Sequence, residues 1–207
     1  MAMNWGQIKD AVSAYANRSD LAPLMPTFLE LAEQRIYNGQ AEQNIPPLRL
    51  STMLTTVTYG SSLPSDFLEM KRVAVTMSPT YKKPLDFKPL ELMATLELTA
   101  GDPSFFSMSN NALVFAPSFS QPVEIVYYAR FATPVADTDT NWLTNNASLA
   151  YVSSLLIEVA HYTKDDELLI RETSRFASQV RAMQAQDEGN KHSGAQLRML
   201  QDARRLI

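Results

Sequence analysis

The stretch Leu149-Ala-Tyr-Val-Ser-Ser-Leu-Leu-Ile-Glu-Val-Ala-His-Tyr162 decides the fold of this chain. Within it, apolar residues follow one another at spacings of three, four and three positions, which is the period of one face of an α-helix. These residues are Leu149, Val152, Leu156 and Val159. The stretch is too short, and too often interrupted by polar residues, to span a bilayer. It therefore predicts a helix that faces a hydrophobic core, ends near Tyr162 and has no membrane partner.

A fourth helix is expected directly after this third one. Asp165 and Asp166 turn the chain and place negative charge where the dipole at a helix start favours it. From Gln184 to Gly194 the sequence is polar and contains two glycines, which predicts a flexible joint. The apolar face of the helix before this joint is expected to contain Leu169, Phe176, Val180 and Met183.

Two helices are expected at the N-terminal end of the chain, where they form an α-hairpin. The first carries its apolar residues at spacings of three, four and three; the second opens at Pro26, a residue that the first turn of a helix tolerates. Gly39 is expected to cap the end of the second helix. The predicted apolar faces are Trp5, Ile8, Val12 and Tyr15 in the first helix, and Phe28, Leu31, Ala32 and Ile36 in the second.

Strands are expected between the two pairs of helices. Pro46 and Pro47 exclude a helix, and the following residues are rich in Thr and Val. Asn110 and Asn111 tolerate the positive φ angles of a tight hairpin turn. The predicted strands are 48–59, 70–77, 105–108, 112–116 and 123–130, with a turn at 82–84, a returning segment at 85–88 and a short helix at 89–98.

The expected fold class is therefore α+β. A bundle of about four helices comes from residues 1–45 and 133–189, and an antiparallel β-rich module is inserted over residues 46–132. Residues 190–207 form an extended C-terminal tail. No internal repeat is visible in the chain of 207 residues.

The composition excludes many kinds of reactive site. The chain contains no Cys, two His and six Gly, and no two glycines are closer than five positions apart. Disulfide frameworks, thiolate nucleophiles and zinc fingers are excluded, as are the glycine-rich loops that hold phosphates. The favoured interpretation is a protein with no enzyme activity, no catalytic residue, no cofactor and no metal.

Two further patterns resemble functional sites, but a structural role is the favoured interpretation of both. Asp137, Asp139 and Asn141 resemble the first half of a calcium loop, but the positions that need Gly and Glu hold Trp142 and Ser148. A plain loop that ends in helix caps is the favoured interpretation. The two histidines, His161 near a helix end and His192 in the predicted joint, are not expected to act as catalytic bases.

Two alternative functions remain open from the residues alone. A glycan-degrading enzyme would need two carboxyl groups across a cleft, and the candidate pairs are Glu30 with Glu33, Glu91 with Glu97, and Asp165 with Asp166. These acids are expected to lie in solvent on helix faces or at helix starts. A DNA-binding accessory protein would need a basic, aromatic surface, whereas Tyr127 and Tyr128 are expected to point to opposite faces of a strand.

Charge is distributed unevenly along the chain, whose formal net charge is −4. Residues 171–207 hold seven basic and four acidic residues, a net charge of +3, which leaves −7 for residues 1–170. A short amphipathic segment at such an end is marginal in water and is expected to be disordered or held by a partner. The candidate docking residues are Leu197, Arg198, Met199, Leu200, Arg204, Arg205, Leu206 and Ile207.

The ordered segments resemble the head-to-tail adaptor proteins of tailed bacteriophages, the tail tubular protein A-like group. Five motifs occur in the family's order over residues 15–169. They are Tyr15-Ala-Asn-Arg-Ser-Asp-Leu21; Met25-Pro-Thr-Phe-Leu-Glu-Leu-Ala-Glu-Gln-Arg-Ile36; Leu63-Pro-Ser-Asp-Phe-Leu-Glu-Met70; Gly101-Asp-Pro-Ser-Phe-Phe with Leu113-Val-Phe-Ala-Pro117 and Val126-Tyr-Tyr-Ala-Arg130; and Asn141-Trp-Leu143 through Leu155-Leu-Ile-Glu-Val-Ala160 to Tyr162-Thr-Lys-Asp-Asp-Glu-Leu-Leu169. The sequence departs from the family's usual small residue and Pro at Ala160-His161-Tyr162, which affects helix packing more than function.

The resemblance implies a structural virion protein at the head–tail interface, assembled in the host cytoplasm. It implies a ring, typically of twelve copies, whose C-terminal segments contact the portal protein of the capsid. The opposite face of the ring receives the tail nozzle (tail tubular) protein. DNA passes through the central channel without sequence-specific binding.

Overall fold

The computed structural model describes residues 2–43, 45–50, 52–58, 60–79, 81–96 and 101–192. Its helices and strands confirm the α+β class, with helices at both ends of the described chain and strands between them. The helices are α1 (Trp5–Tyr15), α2 (Met25–Asn38), α3 (Leu90–Leu96), α4 (Trp142–Asn146), α5 (Ser148–Thr163) and α6 (Asp166–His192). The strands are β1 (Thr52–Val57), β2 (Phe67–Ser78), β3 (Tyr81–Pro84), β4 (Asp86–Phe87), β5 (Phe105–Ser109), β6 (Ala112–Ala116) and β7 (Val123–Ala129).

Helix α5 lies at the centre of the helical part of the protein. It packs against α6, α2, α1 and α4, and every residue from 150 to 160 is buried. The sequence predicts one apolar face, but a helix surrounded by partners is buried on all sides. The polar residues inside it therefore need partners: Ser153 Oγ donates to Glu172 on α6 (2.9 Å), and Glu158 pairs with Arg35 on α2.

The first helix begins with a capping box that was not predicted from the sequence, and the second ends at the predicted Gly39 cap. Asn4 accepts from the backbone N–H of Gln7 (2.9 Å), and the Gln7 side chain accepts from the Asn4 N–H (3.0 Å), a reciprocal capping box. Gly39 ends α2 with φ of 69°. A Cβ atom there would lie 2.6 Å from the Ile45 carbonyl oxygen, so a larger residue is excluded by contact as well as by φ.

The strands form two sheets that share one hydrophobic cluster. The four-stranded sheet has the order β1-β7-β2-β3, and its strands are antiparallel. The three-stranded sheet has the order β4-β5-β6, in which the short β4–β5 pair is parallel. Residues from both sheets, such as Val73, Phe115 and Ile125, are buried in this cluster, which has no member in common with the buried residues of the helical core. The division of the chain into domains at 45/46 and 132/133 stays a prediction.

Two turns were predicted from residue type with different outcomes. Asn110 and Asn111 have φ of 49° and 59° between β5 and β6, which confirms the predicted hairpin. The predicted turn at Lys82, Lys83 and Pro84 is wrong, because these residues form β3 and pair with β2. The outermost strand of a sheet tolerates Pro, since its missing N–H is not needed there. The segment 85–88 pairs back only in part: the Leu85 N–H donates to the Val73 carbonyl on β2 (2.9 Å), whereas Asp86 and Phe87 form β4 and pair with β5.

The predicted flexible joint is also corrected. Helix α6 continues without interruption to His192, through Gly189 and most of the polar stretch that begins at Gln184. Gln184 Nε2 donates to the Pro47 carbonyl oxygen (3.1 Å), and Met183 packs against the helical core. These tertiary contacts add to local helix propensity over this stretch. Residues 193 and 194 of the predicted joint lie outside the described residues.

Candidate docking surface and the helices that support it

The candidate docking residues all lie beyond the last described residue. Leu197, Arg198, Met199, Leu200, Arg204, Arg205, Leu206 and Ile207 are outside the described part of the chain, so their role stays a prediction. The structure does describe α6, the helix that leads to them. The contacts that hold α6 to the rest of the protein are therefore the described features nearest in sequence to the candidate docking residues.

The connection between α5 and α6 is short and well capped. Lys164 adopts the left-handed conformation (φ 57°, ψ 41°) that commonly ends a helix. Asp165 Oδ1 accepts from the backbone N–H of Leu168 (2.9 Å), so Asp165 caps the start of α6. Asp166 adds negative charge to the first turn, as expected from the sequence, and Glu167 adds a second acid there.

The first half of α6 is attached to α5 by apolar packing and one buried carboxylate. Phe176 and Val180 are fully buried in the helical core. Glu172 is 1% exposed, accepts from Ser153 Oγ on α5 and also accepts from Arg171 Nε (3.1 Å). The hydrogen bonds of a buried carboxylate form only in one alignment of the two helices. Such a group therefore favours a single register between them.

The second half of α6 lies against α4 and the segment that precedes β1. Here a small cavity of about 190 Å³ is lined by Leu50, Trp142, Asn146, Met183, Gln186 and Asp187. Trp142 stacks on Phe131, with ring centroids 5.4 Å apart and planes at 10°. Contacts on α6 thus continue well past its midpoint, which supports the helix close to the point where the candidate docking segment begins.

An open groove runs along another side of α6. It measures about 620 Å³ and is lined by Gln43, Leu169, Ile170, Thr173, Ser174, Ala177, Ser178 and Arg181. Ile170 is 72% exposed, the largest value among the large apolar side chains of the described helices. Among the described residues, its lining contains no acidic side chain.

Glu33 is the candidate acid whose environment differs most from the expectation. It was expected in solvent, but it is buried on α2 and accepts from two hydroxyl groups. Tyr151 Oη donates to Glu33 Oε1 (2.7 Å), and Thr133 Oγ1 donates to Glu33 Oε2 (2.6 Å). The helical period contained a signal for this burial, since Glu33 lies four residues after Leu29 and four before Tyr37, both of which are buried.

Burial raises the pKa of Glu33, and the hydroxyl donors and nearby Arg130 only partly oppose that effect. Burial also raises the pKa values of Tyr151 and Tyr37 well above the ordinary tyrosine range, so both phenols stay neutral. Tyr37 Oη accepts from the backbone N–H of Phe131 (2.9 Å). Together these groups connect α2 and α5 to the segment that follows β7.

The carboxylate pair Glu30 and Glu33 meets only part of what glycan hydrolysis requires. Both line a cavity of about 350 Å³ with Pro26, Gln34, Arg130 and Thr133. However, they lie on the same helix, one turn apart, whereas a glycosidase places its two carboxyl groups on opposite sides of the bond to be cleaved. Both oxygens of Glu33 are also occupied by structural hydroxyl groups.

The other candidate acids act as caps or lie apart. Asp165 and Asp166 begin α6, and Glu91 lies in the first turn of α3, while Glu97 is outside the described residues. No group of three or more His, Cys, Asp or Glu residues in the described ranges is arranged to hold a metal. His161 is exposed on α5, and His192 is the last residue of α6.

The residues of the proposed calcium pattern support loop and helix geometry. Asp139 Oδ2 accepts from the backbone N–H groups of Val135 (2.9 Å) and Ala136 (2.8 Å), and these two bonds lower the pKa of Asp139. Asp137 pairs with Lys9 on α1. Asn141 caps α4, as the favoured interpretation of this loop expected.

The tyrosine pair on β7 is divided between two faces, as expected. Tyr127 is buried and donates to Asp66 Oδ1 (3.0 Å). Tyr128 lies on the other face, where the Lys71 ammonium is 5.5 Å from its ring centroid. The two rings therefore do not form one stacking surface for nucleotide bases.

The comparisons with known proteins decide the family. The sequence matches the family described as SU10 adaptor protein over residues 3–200. The chain belongs to this family. It is therefore a structural, non-enzymatic protein, a phage head–tail adaptor with partners on the head side and on the tail side. This result confirms the resemblance seen in the sequence. It also removes glycan hydrolysis as an alternative function. A comparison with curated proteins gives no match. No helix in the described ranges is long and apolar enough to cross a membrane.

Proposed function

We propose that this adaptor forms a ring, of twelve copies as in the resembling family, between the capsid portal and the tail nozzle protein. DNA passes through the centre of this ring without sequence-specific binding. The observation that carries the proposal is the family match, which includes all of the described helices and strands and reaches residue 200. The proposed location is the head–tail interface of the virion, reached after assembly in the host cytoplasm.

The portal is the proposed partner of the C-terminal docking segment. Helix α6 is supported along its length by α5, by the Pro47 carbonyl and by the contacts around Trp142. The segment that starts at residue 193 is therefore joined to a helix whose position in the protein is fixed. Leu197, Leu200 and Ile207 would enter an apolar groove on the portal, and the arginines would meet acidic groups at its rim.

The energy of a single docking event is modest, but the ring multiplies it. Burial of three aliphatic side chains contributes about 5 kcal/mol before the cost of ordering the segment. Copies in one ring share the same portal, so binding of the first segment raises the effective concentration of the others. Multivalent docking of this kind favours a stable junction that is built from weak individual contacts.

The acidic part of the chain suits a channel for DNA. Residues 1–170 carry a net charge of −7, whereas residues 171–207 carry +3. Acidic side chains that face the channel would repel the phosphate backbone, so that DNA slides through without being held. The basic end would then face the portal rather than the lumen.

Removal of the docking segment tests the proposal. A variant that ends at His192 keeps the whole of α6 and lacks only residues 193–207. We expect loss of binding to purified portal, measured by sedimentation or by negative-stain images of the portal with added adaptor. The circular dichroism spectrum and the midpoint of urea unfolding are expected to stay close to those of the full chain, because the core is intact.

Two matched variants separate the apolar from the basic contribution. Leu197→Ser with Leu200→Ser and Ile207→Ser removes the apolar side chains, and Arg198→Gln with Arg204→Gln and Arg205→Gln removes the charge. The first set is expected to abolish portal binding at all salt concentrations. The second set is expected to weaken binding at low salt only. Unchanged portal binding by the chain that ends at His192 would overturn the role assigned to this segment.

A further inference from the structure

The edges of the two sheets differ in how they are protected from other strands. The outer edge of β3 carries Lys82, Lys83 and Pro84, and charged residues and Pro are common devices against unwanted strand pairing. The edge of β6 is covered by the chain itself: the Leu63 N–H donates to the Asn111 carbonyl (2.8 Å), and Ser62 bridges to Ala112. Strand β4 has only two residues.

Strand β1 has none of these devices. It is the outermost strand of its sheet and pairs with β7 on one side only. Its residues Thr52–Val57 include no charged residue and no Pro, and Met53 and Leu54 are 48% and 61% exposed. Among the described residues, no main-chain hydrogen bond reaches the side of β1 that faces away from β7.

The sequence around β1 also lacks charged residues; across the sheet, Glu124 on β7 lies opposite Thr56 and is paired with Arg72 and Lys82. Residues 50–65 contain no Asp, Glu, Lys or Arg, although a stretch of this length at the chain's average of 19% charged residues would hold about three. A groove of about 550 Å³ continues from the end of the strand and is lined by Thr55, Thr56, Val57, Thr58, Ser61, Ser62, Leu63, Pro64, Ser65 and Pro122. Its lining offers hydroxyl groups and apolar surface only.

An uncharged edge suits a second copy of the same chain in particular. Each copy has a net charge of −4, so two identical copies repel each other overall. Contact through a surface without charge avoids this repulsion, and main-chain hydrogen bonds across a strand edge supply both affinity and a defined register. The C-terminal segment fits this edge less well, because it carries three arginines and an aspartate within residues 195–207.

We propose that the outer edge of β1 is where a second copy of this chain adds an extended, uncharged segment to the four-stranded sheet. The inference rests on the ring assigned under the proposed function and names the surface through which neighbouring copies touch. Met53 and Leu54 stand on opposite faces of the extended sheet and contact side chains of the added segment. The edges of β3 and β6 are protected from unwanted strand pairing by residues of the same chain. The edge of β1 is protected by the neighbouring copy.

The experiment places charges on β1 and follows self-association of the full chain. Met53→Lys with Leu54→Lys gives β1 the kind of protection that β3 already has. Tyr81→Lys is the matched control, since Tyr81 is 57% exposed on the opposite edge of the same sheet. We expect at least a tenfold weaker association for the double variant by sedimentation velocity, with no change for the control. In the wild-type assembly, amide hydrogens of residues 52–57 are expected to exchange at least tenfold more slowly than in the monomer.

Each result that contradicts the proposal identifies which part of it is wrong. Association of the double variant at the wild-type level, or equal weakening by Tyr81→Lys, overturns the proposal. Protection of residues 52–57 that appears only when purified portal is added, without self-association, assigns the edge to the portal instead. A ring that forms on the portal while these amides exchange as in the monomer overturns this interface alone. A chain that stays monomeric at every concentration and also with portal overturns both this interface and the ring.

Discussion

The helical part and the strand part of this adaptor bury polar side chains to very different extents. Seven of the eight buried polar or charged residues among the described positions belong to helices α2, α4, α5 and α6 or to the cap of α4. The strand part contributes only Ser107 on β5. The seven residues are Glu33, Asn141, Thr144, Ser153, Ser154, Glu158 and Glu172.

The different burial of polar side chains follows from the interactions that align strands and helices with their neighbours. Strands are aligned by main-chain hydrogen bonds, and a slip of one residue would turn every buried side chain to the wrong face. Helices satisfy their main chain internally, so apolar packing alone allows several rotations and shifts. Buried polar contacts such as Arg35–Glu158 and Ser153–Glu172 can select one of these arrangements. A subunit that must fit two partners needs its helices held in one such arrangement.

The largest expected effect comes from breaking the buried ion pair of the helical part. Arg35 Nε and Nη2 both donate to Glu158 Oε1, at 2.9 and 2.5 Å, and both side chains are almost fully buried. Arg35→Met leaves the Glu158 carboxylate without its partner, and we expect a loss of about 3–5 kcal/mol in the free energy of unfolding, measured by urea denaturation.

The double variant Arg35→Met with Glu158→Leu decides whether the charge or the lost packing causes this effect. Because both charges are then absent, most of the lost stability is expected to return. The exposed pair Arg18–Asp20 provides a control, and Arg18→Met is expected to change stability very little. A double variant as unstable as the single one would show that the pair contributes through packing and not through its charges.

A smaller effect is expected from Glu33, and it depends on pH. Burial raises the pKa of Glu33 in the folded protein above the ordinary value of 4.5, so the folded state favours the protonated acid. As pH rises from 4.5 through the folded pKa, the wild-type protein loses this contribution to stability. Glu33→Gln stays neutral and can still accept from Tyr151. Its stability relative to wild type is therefore expected to increase over this pH range and to level off above it, as measured by urea unfolding at several pH values.

A difference between Glu33→Gln and wild type that does not change with pH would contradict this assignment. Glu30→Gln is the matched control, since Glu30 lies one turn earlier on the same helix and is exposed. It is expected to show no comparable trend with pH. Comparison of the two variants separates burial of the carboxylate from its position on α2.

The helices whose apolar residues recur at a clear helical period were predictable from the sequence. The spacing of Trp5, Ile8 and Val12 predicted α1, and the three residues are buried as expected. The spacing in 149–162 predicted α5, but its burial on all sides depends on how many helices surround it, which spacing does not express. Leu31 and Tyr15 were expected in apolar faces and are exposed, because the buried faces of α1 and α2 are narrower than the apolar pattern.

Two errors of secondary structure share one physical cause, which is that distant contacts outweighed local preference. The polar stretch after Gln184 stays helical where Met183, Gln184 and Asp187 meet residues far away in sequence. Lys82 and Pro84 form a strand because β2 is there to pair with them. For the functional surfaces, the family was accessible from five ordered motifs, whereas the open edge of β1 required knowledge of which strands lie beside it.

The smallest expected effect concerns the turn that aligns β5 with β6, where the strand part relies on main-chain geometry alone. Asn110 and Asn111 both have positive φ, 49° and 59°, a conformation that costs residues with a Cβ atom about 1 kcal/mol and that Asn and Gly tolerate best. Asn111→Ala is therefore expected to lower the free energy of unfolding by about 1 kcal/mol, while Asn111→Gly leaves it nearly unchanged. Equal stability of the two variants in urea unfolding would mean that packing of Phe115 and Leu113, and not the turn, sets this register. The strand part would then resemble the helical part in taking its alignment from side chains.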